Sequence, residues 1–182
     1  FSGITTNSNY NNMFLNFGIY VYNSSNNQFL NIESRLNGMP NGASGLGVYF
    51  GLSQNNTISN MKSNSNKWYG LYIDNSPNNT ILDSVMNGNG MWGMVMSKWM
   101  MSVQNSSNNL FYNVNITNNT QGGIIMSSGF NNLTSVYCCG NGGLDLRCYY
   151  YTGTKGNGNA FGNITACLDG WPVLNTNYAA CP

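Results

Sequence analysis

The chain has 182 residues, which suits one domain. Charged residues are only 6% of it and the formal net charge is +1, so it has no basic surface to neutralise phosphates, and nucleic acid is excluded as a partner. No apolar run is long enough for a transmembrane helix and no signal peptide is visible; an exported protein would be the mature form starting at Phe1.

Taken in chain order, one phrase keeps returning. A glycine opens it, at Gly3, Gly18, Gly47, Gly70, Gly93, Gly123 and Gly143. The next residue is apolar every time: Ile4, Ile19, Val48, Leu71, Met94, Ile124 and Leu144. Three past the glycine come Thr6, then Val21, Phe50, Ile73, Met96, Met126 and Leu146. This alternation predicts a short strand with one buried face. An Asn follows, usually second in an Asn-Asn pair, at Asn12, Asn27, Asn56, Asn79, Asn109, Asn132 and Asn159. Two and five places beyond it run two more columns, mostly apolar: Phe14 and Phe17, Ile58 and Met61, Phe111 and Val114, but also Thr134 and Tyr137.

The cleanest copy, Gly70 to Trp92, is 23 residues long. A fixed period of this length marks a stacked-repeat architecture. Each repeat reads as a strand, an Asn-Asn turn, a short strand, a Gly/Asn/Ser turn and a third strand. Gly and Asn break every span and the apolar spacing is two, so helix is not expected. The predicted fold is an all-β solenoid of about seven to eight rungs. Rungs stack at about 4.8 Å, and the Asn column is expected to hydrogen-bond amide to amide as an internal ladder. Insertions after Ile32 and around Trp99 and Tyr150 respect the columns and are expected as outer loops. Residues 1–17 read as an incomplete first rung, 18–164 as regular rungs, and 165–182 as a Cys-containing partial rung of one domain.

Chemistry-bearing residues are sparse. The five cysteines, Cys138, Cys139, Cys148, Cys167 and Cys181, fall in the last third. With no His and no C-x-x-C pair, zinc is a poor reading. At least one disulfide among them is expected, and with it an oxidising compartment, with connectivity open; buried free thiols are the alternative. Glycosylation sequons stand at Asn23, Asn55, Asn78, Asn105, Asn115, Asn118 and Asn163. An eighth, at Asn132, is set aside because that residue is assigned to the inward ladder. The acids are Glu33, Asp74, Asp83, Asp145 and Asp169. Their positions in the repeat differ, so no two stack into the facing pair a glycosidase needs, and no metal or cofactor is expected. Asp145 with Arg147 reads as an outward surface ion pair. Two past the glycine come Tyr20, Tyr49 and Tyr72, with Tyr22 beside them. This outward column is a candidate face for sugar rings or a protein partner, with ordinary cross-strand packing as the alternative.

The phrases GIYVYNSSNNQFLNI, GVYFGLSQNNTISNM and GLYIDNSPNNTILDS resemble the repeats of right-handed parallel β-helix proteins of the pectate-lyase-like superfamily. They are most similar to the Asn-rich repeats of archaeal and bacterial surface proteins, including NosD-type proteins. The resemblance implies the right-handed coil. It leaves function open, since this fold hosts polysaccharide-degrading enzymes, tailspikes, adhesins and structural proteins. Enzymes of the fold, as the resemblance implies, cluster Asp with Arg, Lys or His on an outer strand face, which this chain lacks.

The expectation is therefore a non-catalytic, extracellular or cell-surface structural protein. It would assemble head-to-tail with copies of itself into filaments through Phe1, Phe14, Phe17, Trp171, Val173 and Tyr178 at its open ends. A carbohydrate-binding adhesin module and a polysaccharide lyase- or hydrolase-like β-helix are the alternatives.

Overall fold

A computed structural model describes residues 1–7, 15–38, 44–97, 106–148, 155–162, 178–179 and 181. Every element among them is a strand. One sheet holds β1 (Thr5–Asn7), β3 (Gln28–Arg35), β5 (Thr57–Asn64), β7 (Thr80–Asn87), β9 (Leu110–Thr117), β11 (Asn132–Cys139), β14 (Asn159–Phe161) and β15 (Tyr178–Ala179) in that order, with β13 (Lys155–Asn157) also on β11. The second holds β2 (Leu15–Tyr22), β4 (Ser44–Gly51), β6 (Leu71–Asp74), β8 (Trp92–Ser97), β10 (Gly122–Met126) and β12 (Leu144–Cys148). All pairings are parallel, and the chain alternates between the sheets, so each turn of a coil adds one strand to each.

The core lies between the sheets. The second sheet contributes Val48, Phe50, Leu71, Ile73, Met94, Met96, Ile124 and Met126, with Ile19 partly buried against them. The first contributes Ile58, Met61, Ile81, Met86, Phe111 and Leu133. Fully burying one such side chain stabilises by about 1.5–3 kcal/mol, and the repeat supplies several per rung.

The expected division of each repeat into three strands is corrected. The strand after the Asn-Asn turn is eight residues long, and its inward positions are spaced unevenly: in β5, Ile58, Met61 and Ser63 are buried. The irregularity comes from one exposed residue with positive φ in mid-strand, at Asn31, Asn60, Asp83, Asn113 and Ser135, with φ between 47° and 55°. Asn and Asp tolerate this left-handed backbone better than most residues. It kinks the strand and returns the following side chain to the interior. Among the described residues no separate third strand follows; past Gly88 the chain runs into β8.

The Asn ladder runs through Asn27, Asn56, Asn79 and Asn109. Each backbone N–H donates to the Oδ1 of the next rung, at 2.9, 2.8 and 2.7 Å. The next member is Asn131, which accepts from the Asn109 N–H at 2.9 Å, and not Asn132. Asn132 is the exposed first residue of β11, paired with Leu110, so Leu133 and Val136 take the inward places assigned to Thr134 and Tyr137. Phe130 then fills the positive-φ position that Asn26, Asn55, Asn78 and Asn108 hold elsewhere. Asn159 is buried, but it pairs with the column of Val136. Its Oδ1 accepts from the Val136 N–H at 2.9 Å and its Nδ2 donates to the Leu133 carbonyl at 2.7 Å, outside the ladder. Asn12 lies outside the described residues.

A second ladder occupies the opposite turn: Asn37, Asn66, Asn89, Asn119 and Asn141. Each side-chain amide donates to the next Oδ1, at 2.8 to 3.1 Å. The anchor glycines make room for it. A Cβ on Gly47 would collide with Ser63 and stand 2.6 Å from Asn66 Nδ2, and one on Gly93 would stand 2.8 Å from Asn119 Nδ2. In the sixth rung the glycine column holds Asp145, not Gly143, since Leu146 pairs with Ile124. The inward residues of β12 are thus Leu146 and Cys148, both buried.

Candidate functional site

The outer face of the second sheet carries a groove about 520 Å³ in volume. Strand register builds it. Tyr20, Tyr49 and Tyr72 pair directly across β2, β4 and β6. The Tyr20 and Tyr49 rings stack with centroids 5.1 Å apart and planes 5° from parallel, and Tyr20 stacks on Tyr22 at 5.8 Å. Tyr72 meets Tyr49 edge to face at 5.6 Å. Phe17, three residues before Tyr20, lies 4.8 Å from its ring and 5.3 Å from that of Tyr49. Trp68 and Tyr69, on the turn leading into β6, close the far side with Leu46.

One carboxylate enters this aromatic wall. Asp74 is only 8% exposed and lines the groove. Its Oδ1 accepts from Asn75 Nδ2 at 3.1 Å and from Ser97 Oγ at 3.2 Å, while the Tyr49 hydroxyl approaches Oδ2 at 3.5 Å. Gly51 makes that approach feasible: a Cβ there would stand 2.6 Å from the Tyr49 hydroxyl. Ser97 Oγ also stands 2.8 Å from the Tyr72 hydroxyl, so its one proton serves either that oxygen or Asp74. Burial pushes the Tyr49 hydroxyl well above the usual tyrosine range, and the Asp74 charge pushes it further. Burial raises Tyr72 as well, opposed by the hydrogen bond from Ser97 and reinforced by Asp74. Tyr69 is raised by burial. These phenols therefore stay neutral, as hydroxyl donors and acceptors around one anion.

The structure disperses the other acids. Glu33 pairs with Arg35 at 3.3 Å, and Asp83 accepts from Asn113 Nδ2 at 2.7 Å on the outer surface. Asp145 does not lie on the outer surface as expected. It is 3% exposed because it stands in the inward-packed glycine column, and its Oδ1 accepts from Asn141 Nδ2 at 2.7 Å. Asp169 lies outside the described residues. No group of three His, Cys, Asp or Glu able to hold a metal occurs among the described residues.

Cys139 and Cys181 form a disulfide with their Cα atoms 5.8 Å apart. Cys138 and Cys148 are buried, and Cys167 lies outside the described residues. Burial, followed by the charge of Asp145, holds the Cys138 thiol well above its ordinary pKa. Its Sγ sits 3.0 Å from the Asp145 carbonyl, the bridging place that Ser63 Oγ fills against Gly70.

Of the expected assembly residues, Phe1 is 73% exposed and stacks on Phe29 at 5.3 Å, Phe17 belongs to the groove, and Tyr178 lies in β15. Phe14, Trp171 and Val173 lie outside the described residues. The sequon residues Asn23, Asn55, Asn78, Asn115 and Asn118 are exposed, and so is Asn132, contrary to its inward assignment. Asn105 and Asn163 lie outside the described residues. The sequence pointed to the tyrosines but missed Phe17, Trp68, Tyr69 and Asp74 as their neighbours. The Tyr20-x-Tyr22 pair just after Gly18 and the Trp68-Tyr69 pair just before Gly70 were the available signal.

Solved structures of the periplasmic alginate epimerase AlgG are similar in fold. One, a mutant, has a TM-score of 0.66 and 15% identity, covering 89% of this chain and 43% of that one. Another has a TM-score of 0.61 and 15% identity, covering 90% and 47%. This chain therefore spans less than half the length of those structures. No curated protein matches it in sequence. The family model "Right handed beta helix region" matches residues 2–135, well over half of the chain. Together with the two parallel sheets and the stacked asparagines, that match shows that the chain belongs to the right-handed β-helix family.

Proposed function

We propose that this protein is a non-catalytic glycan-binding β-helix that works outside the cytoplasm, holding a polysaccharide segment on the outer face of its second sheet. The observation that carries the reading is the stacked Tyr20–Tyr49 platform with Asp74 in its wall. Rigid aromatic side chains give a ring-shaped ligand lodged among them a large contact area at low entropic cost. The Asp74 carboxylate and the phenol hydroxyls supply hydrogen bonds to sugar hydroxyls at the platform's edge.

Binding without turnover is supported by the dispersal of the acids. Hydrolysis of a glycosidic bond asks for two carboxyl groups about 5–10 Å apart across it, and among the described residues lining the groove Asp74 is the one acid. An extracytoplasmic site is supported by the Cys139–Cys181 bridge, since such bonds persist in oxidising compartments. The fold likeness to a periplasmic polysaccharide-modifying enzyme agrees with that setting. The head-to-tail filament expected from the sequence has no comparable support, and Phe17, one of its interface residues, is committed to the groove.

Affinity electrophoresis through gels carrying different polysaccharides tests the proposal. At least one polysaccharide is expected to retard the protein, and Tyr49→Ala is expected to abolish the retardation. Unretarded migration in every gel, or retardation unaffected by Tyr49→Ala, would reject it.

A further inference from the structure

We propose that the groove selects an acetamido sugar, a 2-acetamido-2-deoxyhexose residue within a polysaccharide, whose methyl lodges against the apolar wall and whose carbonyl accepts hydrogen bonds from Trp68 and Tyr69. This inference rests on the glycan-binding reading and narrows it to a substrate class.

What the groove asks of a ligand follows from which of its groups are already satisfied. Tyr20 is stacked on Tyr49 and on Tyr22, so these rings meet one another and build a wall. Phe17, Leu46 and Trp68 extend that wall with apolar surface. Asp74 is engaged through Asn75, Ser97 and the Tyr49 hydroxyl, and the Tyr72 hydroxyl through Ser97. Two donors in the lining are different. The Trp68 indole N–H and the Tyr69 hydroxyl have no hydrogen-bond partner among the described residues, although both side chains are half-buried. The electrostatics agree: burial alone raises the Tyr69 pKa, whereas at Tyr72 burial is opposed by the Ser97 hydrogen bond. Tyr69 therefore keeps its proton and Trp68 can only donate, so the matching ligand group is a neutral acceptor. A mostly apolar cleft with a few polar atoms also asks for apolar surface beside that acceptor. An acetamide joins the two, with a carbonyl oxygen one carbon from a methyl. A sugar hydroxyl lacks the methyl, and a 6-deoxy sugar has the methyl without the carbonyl. An ammonium offers donors to donors and brings a charge against an apolar wall. Analogues that leave a site's own donors unmet are rejected for that reason.

Isothermal titration of the whole chain with three hexamers tests this: N-acetylglucosamine, glucosamine and glucose, all β-1,4-linked. The N-acetylated hexamer is expected to bind at least about tenfold more tightly than either of the others. Tyr69→Phe removes one oxygen and keeps the ring. It is expected to weaken the N-acetylated hexamer about three- to tenfold and to leave the glucose hexamer within about twofold. Equal affinity of the wild type for the acetamide and either counterpart overturns the inference while leaving glycan binding intact. So does preference for the amine or the plain hydroxyl, or an acetamide affinity unmoved by Tyr69→Phe. Failure of all three hexamers, with a polysaccharide of the gel panel still retarding the protein, overturns it equally. Failure of all three and of every polysaccharide in that panel rejects the glycan-binding reading itself. The wild-type comparison needs no variant, so it decides the matter even if Tyr69→Phe does not fold.

Discussion

Asn141 donates its side-chain amide to Asp145 Oδ1 at 2.7 Å, and among the described residues that contact is the last of the second asparagine ladder. The other oxygen of Asp145, Oδ2, accepts from the Gly162 N–H at 2.9 Å, so a single buried carboxylate links the end of the ladder to the next rung. Earlier rungs place a glycine in this column and an Asn above it. Here the aspartate supplies an acceptor to Asn141 from the glycine's own position. Asp145→Gly restores the residue of the other rungs but removes that acceptor. Equilibrium urea unfolding is expected to show a loss of about 1–3 kcal/mol, the cost of leaving buried donors unmet. An unchanged midpoint would mean that the carboxylate contributes nothing as a cap.

The Cys139–Cys181 bridge fastens the last described residue to β11 across a long loop of chain. Cys139→Ser is expected to cost about 2–4 kcal/mol. Mass spectrometry of the non-reduced digest should recover the two cysteines in one linked peptide. Recovery of both as free thiols would contradict the bridge and remove the support for an oxidising compartment.

The phenols of the groove give a pH signature. Tyr49, Tyr69 and Tyr72 hold their protons more tightly in the folded chain than at the ordinary value of 10.0. Protons are thus bound more strongly by the native than by the unfolded state above that value. The stability these groups contribute is complete below pH 10 and declines as pH rises above it toward the folded-state values. Ultraviolet titration of the native protein should show a late-ionising class of tyrosines, and Tyr49→Phe should shrink it. Ionisation of all twelve at ordinary pH in the native state would show the groove to be open to water.

Phe130 is 70% exposed and has φ of 59°, in the turn position that Asn fills in four other rungs. A left-handed backbone costs a typical L-residue roughly 1–2 kcal/mol, less for Asn. Phe130→Asn is expected to stabilise by about 1 kcal/mol, read as a rise in melting temperature. A fall would show that the ring makes a contact worth more than the strain.

The columns were legible because one repeat must superpose on the next: Leu71, Ile73 and Ile81 declare the buried faces by their spacing alone. Phase was harder to read. In the pair Asn131–Asn132 either residue fits the pattern, and the analogy with Asn78–Asn79 favours the second. A rule in the sequence separates them: Asn37, Asn66, Asn89 and Asn119 each stand ten residues after a ladder Asn, and Asn141 stands ten after Asn131. That spacing also announces the second ladder. Asp145 was misplaced because Gly143 offers a plausible anchor, and only the stacking of Leu146 on Ile124 excludes it. The groove was half legible. Tyrosines in one column are visible in the sequence, whereas Phe17, Trp68 and Asp74 join them from other columns, through the coil's curvature and the room left by Gly51.

The central claim is that the tyrosine platform of the second sheet is a glycan-binding surface. The most direct test compares, by isothermal titration with one oligosaccharide that binds the wild type, Tyr49→Ala and Tyr137→Ala, the latter an exposed tyrosine on the other sheet. The account expects Tyr49→Ala to weaken binding at least about tenfold, or about 1.4 kcal/mol, and Tyr137→Ala to leave it unchanged. Equal affinity in all three proteins, or a loss confined to Tyr137→Ala, would contradict it.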